Sequence, residues 1–204
     1  MKQPSCQTFL SAGKISAMNV QENQYHHGDL KRALLEAAEE VVRVQGIEAL
    51  TLRGVTRLVG VTHTAAKPHF GDLQGLITAL ATNQFKRQVQ CMKEALAAAG
   101  EESKEQLVAL GRGYIRHVRQ SGKLFDLQFN STRPNSQDTE MRAEGRKAFQ
   151  MLEEQIRKTF PNASGTQKTL LVRLVWAQIH GLSGLFISNR HTFGDELSPV
   201  ERED

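Results

Sequence analysis

An all-α fold is the expectation, and three observations carry it. Apolar residues recur at helical spacing along most of the 204 residues, Pro is scarce at five, and no alternating Val/Ile/Thr run bounded by turn residues argues for a strand. With 39% hydrophobic residues the chain can bury a sizeable core and reads as globular.

Residues 1–24 are polar and unperiodic and read as a flexible arm, within which Met18 is a candidate alternative start. From Gly28 to Gln45, Leu30, Leu34, Ala37, Ala38, Val41 and Val42 form one apolar stripe, with Asp29 placed to cap the helix and Gly46 to end it. Leu50 to Phe70 then reads as two short helices parted by Gly60, a helix-turn-helix. Thr51 caps the first; Leu52, Val55 and Val59 face inward, while Arg53 and Arg57 face out, and Gly54 weakens it by about 1 kcal/mol relative to Ala. Val61 plugs the corner, Thr62 caps the second, Ala66 and Phe70 point inward, and His63, Thr64, Lys67 and His69 are left outside. Helices this short need a neighbour, which the first helix supplies.

A long helix is predicted from Asp72 to Ala99 through Leu76, Ile77, Leu80, Phe85, Val89, Met92 and Leu96, and a second from Ser103 to Ser121 through Leu107, Leu110, Tyr114 and Val118. Leu124, Phe125, Leu127 and Phe129 form an apolar knot on a short helix, and STRPNSQD (131–138) is turn chemistry. Two last helices span 139–160 and 166–189, separated by PNASG. The final one, with Leu170, Leu171, Leu174, Val175, Ile179, Leu182 and Phe186, is apolar round more of its circumference than one packing face needs. A second copy of the chain is the simplest partner for the surplus.

The formal net charge of +4 and a pI near 9.2 suit a nucleic-acid partner and an ordinary solvated surface alike. Residues 1–75 hold eight Lys/Arg against seven Asp/Glu, so the helix-turn-helix does not sit in a basic half. Cys6 and Cys91 lie far apart, one in the unpatterned arm, so no disulfide framework is expected and a reducing cytoplasm fits. Apolar clusters stop well short of the roughly 20 residues that span a bilayer, and residues 1–24 lack the apolar core of a signal peptide, so neither insertion nor secretion is expected.

A short polar-faced helix beside a crossing neighbour is what a major groove about 12 Å wide admits. The run YHHGDLKRALLEAAEEVVRVQGIEALTLRGVTRLVGVTHTAAKPHFGDLQGLITAL (25–80) resembles the DNA-binding region of the tetracycline-repressor (TetR) family, through GDL before the first helix, TLR…GV across the turn, and HFGD…GL into the fourth helix. LVALGRGYIRHV (107–118), LFDLQF (124–129) and WAQIHGLSGL (176–185) resemble a TetR subset with a Trp-x-x-x-His-Gly segment in the last helix. The resemblance implies an N-terminal three-helix DNA-binding bundle, a fourth helix acting as lever, and a helical domain that binds a small effector and dimerises through its last two helices.

Carried over by position, it assigns Arg53, Thr62, His63, Thr64, Ala65, Lys67 and His69 to DNA. Chemically, Lys67 can donate to guanine or phosphate, His63 and Thr64 can bond a base edge, Ala65 can touch a thymine methyl, and Arg53 and His69 suit phosphates. Three positions depart from the family pattern. Lys67 stands where Tyr is usual, Pro68 replaces a large residue often Arg, and Leu73 replaces a Lys that heads the fourth helix. Pro68 also lacks an N–H and disfavours α geometry at Lys67.

Phe85, Val89, Met92, Tyr114, His117, Phe125, Phe129, Trp176 and His180 together offer a few polar groups among apolar walls, the makeup of an effector site, although each alone reads equally as core. No His, Cys or carboxylate spacing suggests a metal, and no cofactor, catalytic constellation or phosphate-cradling loop is found. The expected organisation is therefore an arm (1–24), a DNA-binding domain (25–71), an effector-binding and dimerisation domain (72–195) and a polar tail (196–204). The expected function is that of a cytoplasmic, homodimeric repressor on a palindromic operator, not an enzyme. The alternative is a TetR-shaped ligand- or partner-binding dimer whose DNA reading has degenerated.

Overall fold

The structure, a computed structural model, describes residues 30–129 and 131–187. The arm, His26-His27, Met18, the Asp29 cap, residues 188 and 189 of the expected last helix, the side chain of Phe186 and the tail lie outside them. The described residues are helical throughout: α1 (Leu30–Gln45), a 3-10 turn (Ile47–Ala49), α2 (Leu52–Val59), α3 (His63–Phe70), α4 (Leu73–Ala97), α5 (Ser103–Ser121), a second 3-10 turn (Gly122–Phe125), the one-turn α6 (Asp126–Phe129), α7 (Thr139–Thr159) and α8 (Gly165–Ile187). Among them no strand occurs, and the all-α expectation holds. Boundaries move by a residue or two: α4 starts one residue later than expected and stops at Ala97.

Two compact units result, the described parts of Met1–Arg87 with Lys123–Arg142, and the described parts of Gln88–Gly122 with Ala143–Asp204. In the first, the α1 stripe is buried at Leu34, Ala38, Val41 and Val42 and joined by Leu35. Gly46 ends α1 at φ 92°, with its N–H on the Val42 carbonyl at 2.9 Å. Val55, Ala66 and Phe70 meet the stripe, and Leu76, Ile77 and Leu80 of α4 and Leu124 and Leu127 of the apolar knot complete one core. Each such Val, Leu, Ile or Phe side chain contributes about 1.5–3 kcal/mol by leaving water, enough to hold two eight-residue helices that could not stand alone. Glu39 of α1 meets Arg87 of α4 at 2.7 Å. Burial pushes the Glu39 carboxyl above the usual range in spite of that guanidinium.

In the second unit α5 lies hard against α4. A Cβ on Gly113 would come within 2.7 Å of Met92 Cα and 2.8 Å of the Cys91 carbonyl, so only Gly allows this approach. Gln155 of α7 donates to the Ser103 carbonyl at 2.8 Å, tying α7 to the start of α5, and α5 also packs on α8. Cys91 is buried on α4. Among the described residues no helix is long and apolar enough to cross a membrane.

Candidate nucleic-acid interface and effector region

The two short helices and their turn are built as the sequence predicts, except at the Thr62 cap. Thr51 takes extended geometry, and its hydroxyl accepts from Gly54 N–H at 3.0 Å, which caps α2. Gly54 is the partner of that cap: a Cβ there would sit 2.8 Å from Thr51 Oγ1 and displace it. Gly60 turns the chain at φ 79°, and Val61 N–H closes the corner on the Thr56 carbonyl at 2.9 Å. Leu52 and Val55 are buried, whereas Arg53 and Arg57 stand in solvent. On α3, Ala66 and Phe70 are buried, His63, Thr64 and Lys67 are exposed, and Ala65 and His69 are half-buried. Thr62 occupies the N-cap position of α3, yet its hydroxyl pairs with that of Thr64 at 3.0 Å and makes no side-chain cap.

Pro68 does not end α3. The helix runs on to Phe70 and is closed by Gly71 N–H on the Lys67 carbonyl at 2.8 Å, so Lys67 keeps helical geometry despite its neighbour. The turn into α4 explains the HFGD…GL run: Gly71 takes φ 73°, and Asp72 Oδ1 accepts from Gly75 N–H at 2.8 Å as the α4 cap. Gly75 must lack a side chain, because a Cβ would overlap the Phe70 carbonyl oxygen. Leu73 is half-buried and packs on the core.

The nine effector candidates fall in both compact units. Phe85, Phe125 and Phe129 lie in the first and form an aromatic cluster, with Phe129 5.6 Å from Phe85 edge-on and 5.3 Å from Phe125. Val89, Met92, Tyr114, His117, Trp176 and His180 lie in the second. There, Tyr114 Oη and His180 Nδ1 are 3.0 Å apart, and Trp176 stacks on the His180 ring at 5.2 Å and 15°. Burial raises the Tyr114 hydroxyl above its ordinary pKa and lowers that of His180, so both favour their neutral forms. His117 is buried, with Ser121 Oγ 3.2 Å from Nδ1. Val89 and Met92 are buried on α4.

Several residues escaped the sequence reading. Gly75 had a signal in HFGD…GL, whereas Lys123, Arg133 and Asn135 had none, since their partners lie 57 to 86 residues away.

Residues 107–201 match the family model for the tetracyclin repressor-like C-terminal domain. The chain is thus similar to TetR-family proteins over that stretch. Its fold is shared with a TetR family transcriptional regulator, PfmR, from Thermus thermophilus, at a TM-score of 0.60 and 18% identity over 75% of this chain and 85% of that one. A protein of unknown function from Rhodococcus sp. RHA1 is similar at a TM-score of 0.74 and 24% identity over 88% and 91%. NalD, the secondary repressor of the MexAB-OprM multidrug efflux pump in Pseudomonas aeruginosa, follows at 0.51 and 20% over 79% and 86%. At these identities the likeness is one of fold. No curated protein matches the chain. The TetR match covers α5 to α8, and the helix-turn-helix lies ahead of it.

Proposed function

We propose that this chain is a DNA-binding transcription repressor of the TetR type that acts as a homodimer on a palindromic operator and is released by a small effector. The observation that carries the reading is the exposed set on α2 and α3, Arg53, His63, Thr64 and Lys67 beside half-buried Ala65 and His69, on helices whose opposite sides form the core. Two such units would meet successive major grooves at about 34–36 Å or a multiple. Arg53 and His69 take phosphates, Lys67 takes guanine or phosphate, and His63 and Thr64 take base edges, with Ala65 against a thymine methyl.

Dimerisation is assigned to α8 with α7. Leu170, Leu174, Leu182 and Leu185 of α8 are 43–56% exposed, more apolar surface than a solvated helix carries without a partner. The effector is assigned to the second unit, to the group that Tyr114, His180 and Trp176 form there, a hydroxyl and an imidazole in hydrogen-bond contact beside an indole. A DNA partner places the protein in the cytoplasm, and no enzymatic role is assigned.

Gel-shift assays on duplexes flanking its own gene test the reading, which predicts sequence-specific retardation that weakens steeply with salt. Weak, sequence-blind binding would overturn it. That outcome would favour a dimer that binds a ligand or partner but no longer reads DNA, a reading supported by Leu73 packing on the core where a phosphate-binding Lys is usual. Pro68→Arg with Leu73→Lys would then raise affinity sharply.

A further inference from the structure

We infer that Arg133, supported by Lys123, is a positioning residue for DNA reading that fixes the turn between α1 and α2. The inference rests on the DNA-reading function proposed above. A helix leaves its last carbonyls without intrahelical donors; at the end of α1 that of Val44 is met from far along the chain, and the Ile47 carbonyl of the turn that follows, already accepting from Leu50 N–H, takes a second distant donor. Lys123 Nζ donates to the Val44 carbonyl at 3.1 Å, and Arg133 Nη1 donates to the Ile47 carbonyl at 2.8 Å, 86 residues away in sequence. Arg133 Nη2 also lies 3.2 Å from the Glu48 carboxylate. Both cations stand by the negative end of the α1 dipole.

The stretch that carries them is itself pinned to α4. Asn135 N–H donates to Thr78 Oγ1 at 2.9 Å, Thr78 Oγ1 donates on to the Gln74 carbonyl at 2.8 Å, and Lys86 meets Glu140 at 2.7 Å. Leu124 and Leu127 sink into the core that α1, α2, α3 and α4 share. The described residues of 123–142 therefore form a strap fastened to α4 by one set of contacts and gripping the α1–α2 turn by another. Thr51, the α2 cap, follows Ile47 by four residues, so the grip sets where α2 begins and where Arg53 and Arg57 point.

The contacts are built to hold a shape more than to add stability. Two of the three run to backbone carbonyls. The third is a pair whose Glu48 side is 82% exposed, and such surface pairs contribute only about 0–1 kcal/mol. Loss of the grip would loosen the aim of α2 while leaving the apolar core in place.

The test uses the full chain and a duplex that the wild type selects from a randomised library, with affinity measured by fluorescence anisotropy over a range of salt. Arg133→Ala with Lys123→Ala should bind roughly tenfold more weakly, with an unchanged slope of log affinity against log salt. Arg133→Lys, which keeps one donor, should recover most of the loss. Arg53→Ala, a lost phosphate contact, should instead lower the slope by about 0.9 per contact. An unchanged affinity in the double variant, or a slope lowered as in Arg53→Ala, would overturn the positioning role while leaving DNA reading intact. A wild type that selects no duplex at all would overturn the DNA reading itself, and the inference with it. A double variant that fails to fold would show the strap to be a stability element, and that too would overturn it.

Discussion

Replacing Gly75 with Ala sets two effects against each other. In a helix, Ala is favoured over Gly by roughly 0.5–1 kcal/mol through backbone entropy. The added Cβ, however, overlaps the Phe70 carbonyl oxygen and stands 3.0 Å from its carbon, in a place where neither side can retreat. Phe70 is held in the core and its carbonyl accepts from Asp72 N–H at 2.8 Å, while Leu76 and Leu80 anchor the first turns of α4 at complete burial. Relief requires giving up the Asp72 cap, about 1 kcal/mol, and shifting buried side chains, about 1–3 kcal/mol. Less the propensity gain, the net loss is roughly 1–3 kcal/mol. Urea titration of the full chain should show a lower midpoint with an unchanged slope. A midpoint equal to or above that of the wild type would refute the steric argument, because propensity alone would then decide the sign.

Other expectations follow from the same structure. Thr51→Ala removes the α2 cap and should cost about 0.5–2 kcal/mol in a thermal or urea titration, with Thr51→Ser restoring most of it. Pro68→Ala supplies the missing N–H within α3 and should raise stability by about 1 kcal/mol, below the roughly 3 kcal/mol of a helix interior because the helix ends two residues later. A lower urea midpoint would count against it. His180 has a pKa held below its ordinary 6.5 by burial, so the unfolded chain takes up a proton before the folded one does. Stability should therefore fall as pH drops through about 6.5 toward the folded-state pKa, and His180→Asn should flatten that fall. Protonation of the ring stacked on Trp176 should also change the emission of this single tryptophan over the same window. Leu174→Glu with Leu185→Glu should convert a dimer to a monomer in sedimentation, and a species unchanged in mass would remove α8 from the interface.

What could be read in advance was whatever repeats locally. The α1 stripe, the Thr51 cap, the Gly60 corner and the inward pair Ala66 and Phe70 all follow from spacing within one or two turns, and each is found where expected. Thr62 misled because a hydroxyl at an N-cap position can satisfy itself on a nearer neighbour, here Thr64. The loop over 131–138 read only as turn chemistry, since nothing in its composition announces that Arg133 reaches a carbonyl 86 residues away. The aromatic candidates of the bundle were identifiable as a set but not as neighbours. The sheer number of apolar helical positions left open that Phe85, Phe125 and Phe129 would cluster together while Tyr114, Trp176 and His180 formed a separate group.

The hydroxyl pair of Thr62 and Thr64 bears on how finely this surface could discriminate among sequences. A free hydroxyl on a reading helix gains a partner when it finds the right base edge and loses its water when it finds the wrong one. Thr64 already has a partner at 3.0 Å, so opposite a wrong base it keeps one bond where a free hydroxyl would have none, while its remaining donor or lone pair can still meet the right one. Position for position, the operator should then tolerate exchange opposite Thr64 more readily than opposite Lys67. A profile of permitted bases should be broad at one step and narrow at its neighbour.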